Sequence, residues 1–147
     1  MITLEKAKKE DCQRIFRWRN DPRVREFFFD SHEISYSEHH KWFEESLGRD
    51  DRIILIAYDG HRALGVLRFD MVKTEPWAAE IDVYVAPELQ GLGFGKKMLS
   101  GGERWVKKNT EITKLFAKVK ETNQASLRMF AHCGFQTEFI FFKKEIN

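Results

Sequence analysis

The sequence predicts one mixed, mostly antiparallel α/β sheet of about six to seven strands, with helices on both faces. Three observations lead there. Apolar runs of strand length lie at 52–58, 63–72 and 78–85, separated by short turn signals. Runs with apolar residues at helical spacing flank them at 10–20, 35–47, 94–108 and 123–132. A glycine-rich turn, Gln90 to Gly95, joins the third strand to the longest helical run. Strands interleaved with amphipathic helices bury their apolar faces as one sheet between helical layers.

The elements follow in order. Ile2 and Leu4 alternate with Thr3 and Glu5, as in a half-buried first strand. Glu10-Asp11 opens a helix through Asn20, and Asp21-Pro22 ends it, because a residue before proline avoids the helical region. An aromatic cluster, Phe27-Phe28-Phe29, follows. Ser35 or Ser37 caps a second helix that runs to Leu47, and Gly48 stops it.

Ile53 to Ala57 is continuously apolar, Asp59-Gly60 signals a hairpin, and Ala63 to Val72 returns as its partner. Glu75-Pro76-Trp77 turns the chain into Ala78–Val85, which makes a three-strand antiparallel meander. In the long helix Met98, Leu99, Trp105 and Val106 form one stripe, and Gly101-Gly102 inside it implies close packing on the sheet. Leu115 to Val119 reads as a strand, Asn123 opens a short helix that Gly134 ends, and Phe139 to Ile146 closes the chain as a last strand.

The chain of 147 residues, residues 1–147, suits a single domain. Its 42% hydrophobic and 33% charged residues suit a folded globular protein. A net charge of +2 argues against general nucleic-acid binding, although Lys8, Lys9, Arg14, Arg17, Arg19, Arg23 and Arg25 crowd the start. Cys12 and Cys133 are far apart and match neither a disulfide framework nor a metal-ligand spacing, so no metal is expected. The first residues lack the apolar core of a signal peptide, and no run approaches a membrane span, so a cytoplasmic protein without membrane partners is expected.

The glycine turn carries the chemistry. Alternate glycines let the backbone turn tightly and admit a ligand close to it. A helix that starts there aims its free N–H groups and positive dipole end at the turn, which suits a phosphate. The dinucleotide fingerprint fails, because its third glycine falls on Lys96 or Met98. The Walker pattern also fails, because its first glycine falls on Gln90 and its Ser/Thr on Lys97. What fits is Gln-x-x-Gly-x-Gly at Gln90, Gly93 and Gly95.

That pattern resembles the acetyl-CoA pyrophosphate loop of the GNAT superfamily of N-acyltransferases, [Arg/Gln]-x-x-Gly-x-[Gly/Ala]. Asn123-Gln124-Ala125-Ser126 with Gly134-Phe135 is similar to the family stretch beside the pantetheine arm, and the resemblance spans essentially the whole chain. It implies the GNAT fold and direct acetyl transfer from acetyl-CoA to a primary amine. It places Gln90, Gly91, Leu92, Gly93, Phe94, Gly95 and Lys96 around the pyrophosphate, with Lys96 or Lys97 near a phosphate. Val83, Tyr84 and Val85 would pair with the pantetheine, and Asn123 and Ser126 would contact the same arm.

An amine must shed a proton to react, and a nearby carboxylate can take it. Glu80, Asp82 and Tyr84 alternate and so share one strand face, while Ile81, Val83 and Val85 share the core face. Glu80 and Asp82 are therefore the candidate bases, and Glu80 matches the position where many family members place one. The family often has a tyrosine on the last helix to protonate the leaving thiolate. Phe130 stands there and has no donor, which leaves water, another group or unassisted departure.

The run Phe16 to Arg25, with Glu33-Ile34-Ser35 and His39 to Phe43, resembles the N-acetyltransferases of pseudaminic acid synthesis, which act on nucleotide-linked 4-amino sugars. That resemblance puts Arg19, His39 and Tyr84 at substrate-binding positions and makes a small-molecule amine, a sugar nucleotide, the expected partner. A homodimer is compatible with it. The same arginine-rich run occurs in relatives that acetylate protein N-termini or ribosomal proteins. A non-catalytic CoA-binding or interaction domain is a further alternative, against which the intact glycine loop argues.

Overall fold

The computed structural model describes residues 1–146. Strands β1 (Ile2–Lys6), β2 (Arg52–Asp59), β3 (Arg62–Met71), β4 (Ala78–Val85) and β5 (Lys114–Phe116) form one sheet in the order β1-β2-β3-β4-β5. The first four are antiparallel neighbours, and β4 and β5 run parallel. Helices α1 (Cys12–Asn20), α2 (Pro22–Arg25), α3 (Tyr36–Leu47), α4 (Phe94–Asn109) and α5 (Gln124–His132) complete the α/β architecture.

Local chemistry explains most boundaries. Ser35 Oγ accepts the N–H of Glu38 at 3.1 Å and starts α3, which decides the choice between Ser35 and Ser37. The Asp21 carboxylate accepts the N–H of Arg23 at 2.9 Å, and Pro22 occupies the first turn, so the stretch after Asp21 makes a short helix that periodicity alone did not indicate. Gly60 has φ of 61° in the β2–β3 hairpin, as its Asp-Gly turn requires. The expected first helix begins two residues late, because Lys9–Asp11 forms a 3-10 turn instead.

Two layers cover the sheet. α4 packs on β1, β3 and β4, and α3 packs on β2. The glycine pair in α4 is a packing device. A Cβ on Gly102 would lie 2.6 Å from Leu67 Cδ2 and 3.4 Å from Phe69 Cζ, so the helix seats its backbone on β3 there. Leu55, Leu67, Phe69, Met98 and Leu99 are fully buried between sheet and α4, or beside that seam.

The structure corrects the strand count. The sheet has five strands, not six to seven. The expected strand from Phe139 to Ile146 does not form among the described residues, and Phe139, Ile140, Phe141 and Phe142 stand exposed. A strand needs a partner edge, and β5, its natural neighbour, offers only three residues of regular edge. The β4–β5 ladder stops at Glu80 and Phe116, beyond which the two chains part.

Candidate active site

The parting of β4 from the chain after β5 opens a cleft of about 500 Å³. On the β5 side β4 is unpaired from Ile81 to Val85, so that edge has free backbone groups facing the cleft. Lys118 and Val119 form the opposite wall, and Met129 and Phe130 of α5 close one side.

At one end the turn after β4 leads into α4. Gly91 and Gly93 have φ of 78° and 83°, in the left-handed region that favours glycine. Gly93 precedes the first helical residue, so Phe94, Gly95 and Lys96 form a first turn whose N–H groups lack intrahelical acceptors. Gly95 is a close-approach point, since a Cβ there would lie 2.9 Å from Met129 Sδ. This cradle fits a pyrophosphate in both backbone geometry and dipole. Gln90 donates its side-chain amide to the Arg23 carbonyl at 3.1 Å and ties the turn to α2.

Of the residues expected around the donor, Val83, Tyr84, Val85, Gln90, Gly91, Gly93, Gly95, Lys96, Asn123 and Ser126 line the cleft. Leu92 points to solvent, 62% exposed. Phe94 packs against the core under the guanidinium of Arg62, 5.9 Å from its ring centroid. Asn123 accepts the N–H of Ser126 at 3.2 Å and thereby caps α5.

At the other end stand the carboxylates. The β3–β4 register sets Glu80 opposite Asp70, Asp82 opposite Arg68 and Tyr84 opposite Val66, so the alternation read from β4 holds. Asp82 and Tyr84 line the cleft. Burial pushes the Asp82 carboxyl above the usual carboxylate range, Arg68 draws it back, and Asp70 and Glu80 push it further up. Burial also raises the Tyr84 phenol, which therefore stays protonated and able to donate. Glu80 lies one pleat away and pairs with Lys118 at 3.5 Å, with 41% of its side chain open to solvent.

The N-terminal helices cover this end. Phe27 and Phe28 line the cleft, and Phe28 meets Tyr84 edge-on with centroids 5.7 Å apart. The Arg19 guanidinium stacks 4.3 Å over Phe28, and its Nη2 donates to the Asp30 carbonyl at 3.1 Å. Its Nη1 is buried without a hydrogen-bond partner among the described residues. His39 is not brought to the cleft. It is 1% exposed, and its Nε2 donates to the Cys12 carbonyl at 3.0 Å in the seam between α1 and α3. Its spacing in α3 cannot say which face is turned inward, and here that face carries an imidazole stacked on Phe43.

Sequence reasoning missed Arg68, Asp70, Lys118 and Met129. None has a local signal. Arg68 meets Asp82 only through strand register, and Lys118 meets Glu80 only because β5 lies beside β4. Among the described residues no cluster of His, Cys, Asp or Glu can hold a metal ion. No described helix is long and apolar enough to cross a membrane.

Comparison with known proteins agrees with this geometry. Residues 1–136 match the acetyltransferase (GNAT) domain family. An uncharacterized protein of Methanocaldococcus jannaschii is 26% identical over 138 residues, 92% of this chain, and the chain spans only 28% of that protein's length. The spermidine N-acetyltransferase of Vibrio cholerae, solved with CoA and spermine, superposes with a TM-score of 0.86 at 19% identity, covering 94% of this chain and 82% of that one. An aminoglycoside acetyltransferase solved with coenzyme A gives a TM-score of 0.84 at 17% identity, covering 94% and 86%. This chain therefore belongs to the acetyltransferase (GNAT) domain family.

Proposed function

We propose that the domain acetylates a primary amine seated between Asp82, Tyr84 and Phe28, and that this amine is the 4-amino group of a nucleotide-linked amino sugar. One observation carries the reading. A single cleft runs from the glycine cradle to a recessed carboxylate, Asp82, flanked by aromatic rings. Acetyl-CoA supplies the thioester, and the C–N bond to the amine forms as its C–S bond breaks.

The residues divide the work. The cradle at Gly91 to Lys96 anchors the donor, and the free β4 edge at Val83 to Val85 aligns its arm. Asp82 accepts the proton that the amine must lose, directly or through one water. A carboxyl lifted toward neutrality by burial is a better proton acceptor than a fully solvated one. Glu80, beside Lys118, is the second carboxylate of the same face and serves that water-linked path. Tyr84 donates a hydrogen bond to the acceptor. Arg19 stacks on the cleft-lining Phe28 without lining the cleft itself, and supports the sugar-nucleotide reading as a cation close to that wall. His39 keeps α1 and α3 together behind that wall.

The test incubates the protein with acetyl-CoA and a panel of amines and follows free thiol. The panel holds a UDP-linked 4-amino sugar, spermidine, kanamycin and a ribosomal-protein N-terminal peptide. The proposal expects the sugar nucleotide to give the highest kcat/KM. A higher value for the peptide makes the domain a protein α-amine acetyltransferase. Failure of CoA to bind by calorimetry overturns the enzyme reading for this chain in favour of an interaction domain. Asp82→Asn should lower turnover 10²-fold or more and Glu80→Gln about tenfold, with CoA affinity unchanged in both.

A further inference from the structure

The face that carries Asp82 also carries a ladder of alternating charge. Arg52 donates Nε to Asp70 Oδ1 at 2.6 Å and Nη1 to the buried Ser46 Oγ at 2.9 Å. Arg68 donates Nε to the other Asp70 oxygen at 3.2 Å and extends Nη2 to within 3.8 Å of Asp82 Oδ2. Both guanidinium groups lie against the Trp42 ring, at 5.4 Å for Arg52 and 5.8 Å for Arg68. The chain of contacts therefore begins on α3, crosses β2 and β3, and ends at the cleft.

We propose that Arg68 is a positioning residue, clamped by Asp70 and Trp42 so that its guanidinium holds the Asp82 carboxylate in place at the acceptor end of the cleft. The inference rests on the reading of Asp82 as the proton acceptor. The geometry is one-sided. Arg68 has one nitrogen committed to Asp70 and a second aimed at Asp82, and the planar fork cannot turn one without the other. A lysine has no such fork. Without Arg68, Asp82 would face the charges of Asp70 and Glu80 with Arg19 to offset them, while Lys118 is paired to Glu80 and the protonated Tyr84 phenol is neutral. The clamp thus opposes the rise that burial imposes and keeps Asp82 ionised where an amine arrives.

A direct titration tests this without knowledge of the acceptor. The full chain is labelled with ¹³C at aspartate carboxyls, and the resonance lost in Asp82→Asn is assigned to Asp82. Removing a cation favours the protonated acid, so Arg68→Gln should move the Asp82 midpoint upward. The pair is partly solvated, with 32% and 35% of the side chains open, so a rise of about half to one unit is expected. Arg68→Lys keeps the charge but not the fork and should raise it by about a few tenths. It also serves as the conservative variant if the glutamine variant does not fold, which CoA binding by calorimetry reports. An Asp82 midpoint unchanged in whichever of these variants fold overturns the proposal. If the midpoints move as expected but Asp82→Asn leaves turnover intact, the proton-acceptor reading fails and the role of Arg68 in catalysis fails with it.

Discussion

Two adjacent glycines in α4 should respond to the same substitution with opposite signs. Gly101→Ala and Gly102→Ala each remove a residue that costs about 1 kcal/mol in a helix interior. The new methyl meets different surroundings. At Gly101 the nearest atom is Leu4 Cδ1 at 3.6 Å, an ordinary contact, so the gain survives as about 0.5–1 kcal/mol of added stability. At Gly102 the methyl would lie 2.6 Å from Leu67 Cδ2 and 3.4 Å from Phe69 Cζ. Leu67 and Phe69 are both fully buried, so neither can swing clear. Overpacking of this kind costs about 1–3 kcal/mol, which outweighs the helix gain by about 1 kcal/mol. The two variants should thus differ by about 2 kcal/mol in urea unfolding at constant m, or about 4–8 °C in Tm for a chain of this size. Equal stabilisation of both, or a more stable Gly102→Ala, would refute the claim that α4 seats its backbone on β3.

Three further outcomes follow from named contacts. Burial depresses the His39 pKa, so the folded state resists its protonation. Stability should therefore be complete above the ordinary histidine value near 6.5 and fall as pH drops below it, by at most about 1.4 kcal/mol per pH unit, and denaturation of His39→Gln at pH 7.5 and 5.5 should show that contribution removed. Asn20 pairs with both backbone groups of Ile34, at 2.8 and 3.0 Å, and so ties down the segment that carries Phe27 and Phe28. Asn20→Ala should cost about 2 kcal/mol in chemical denaturation and speed amide exchange in residues 26–34 before the rest. Gly93→Ala finds open space for its Cβ but a φ of 83°, so it should cost about 1 kcal/mol of strain. If the loop relaxes to relieve that strain, calorimetry should show CoA affinity reduced about fivefold; undiminished affinity would mean that the left-handed turn is not needed for the cradle.

Sequence alone determined the features whose causes are local. The Asp-Gly hairpin, a serine cap at Ser35 or Ser37, the spacing of Gln90, Gly93 and Gly95, and the shared face of Glu80, Asp82 and Tyr84 all depend on residues a few positions apart. Backbone sterics, capping and strand alternation act over that range, so those features are legible in a string of letters. Tertiary structure decided the rest. It placed His39 in a buried seam, because periodicity marks a helical face but not what that face meets. It left Phe139 to Phe142 unpaired, because a strand-like run becomes a strand only where an edge accepts it. It brought Arg68 to Asp82 and Lys118 to Glu80 across strands distant in sequence, and these pairings set the charge of the site. The glycine loop could point to a phosphate-bearing donor because a phosphate is held by contiguous backbone. The end of the cleft proposed for the acceptor draws on α2, the segment after it and β4, so no contiguous stretch describes it.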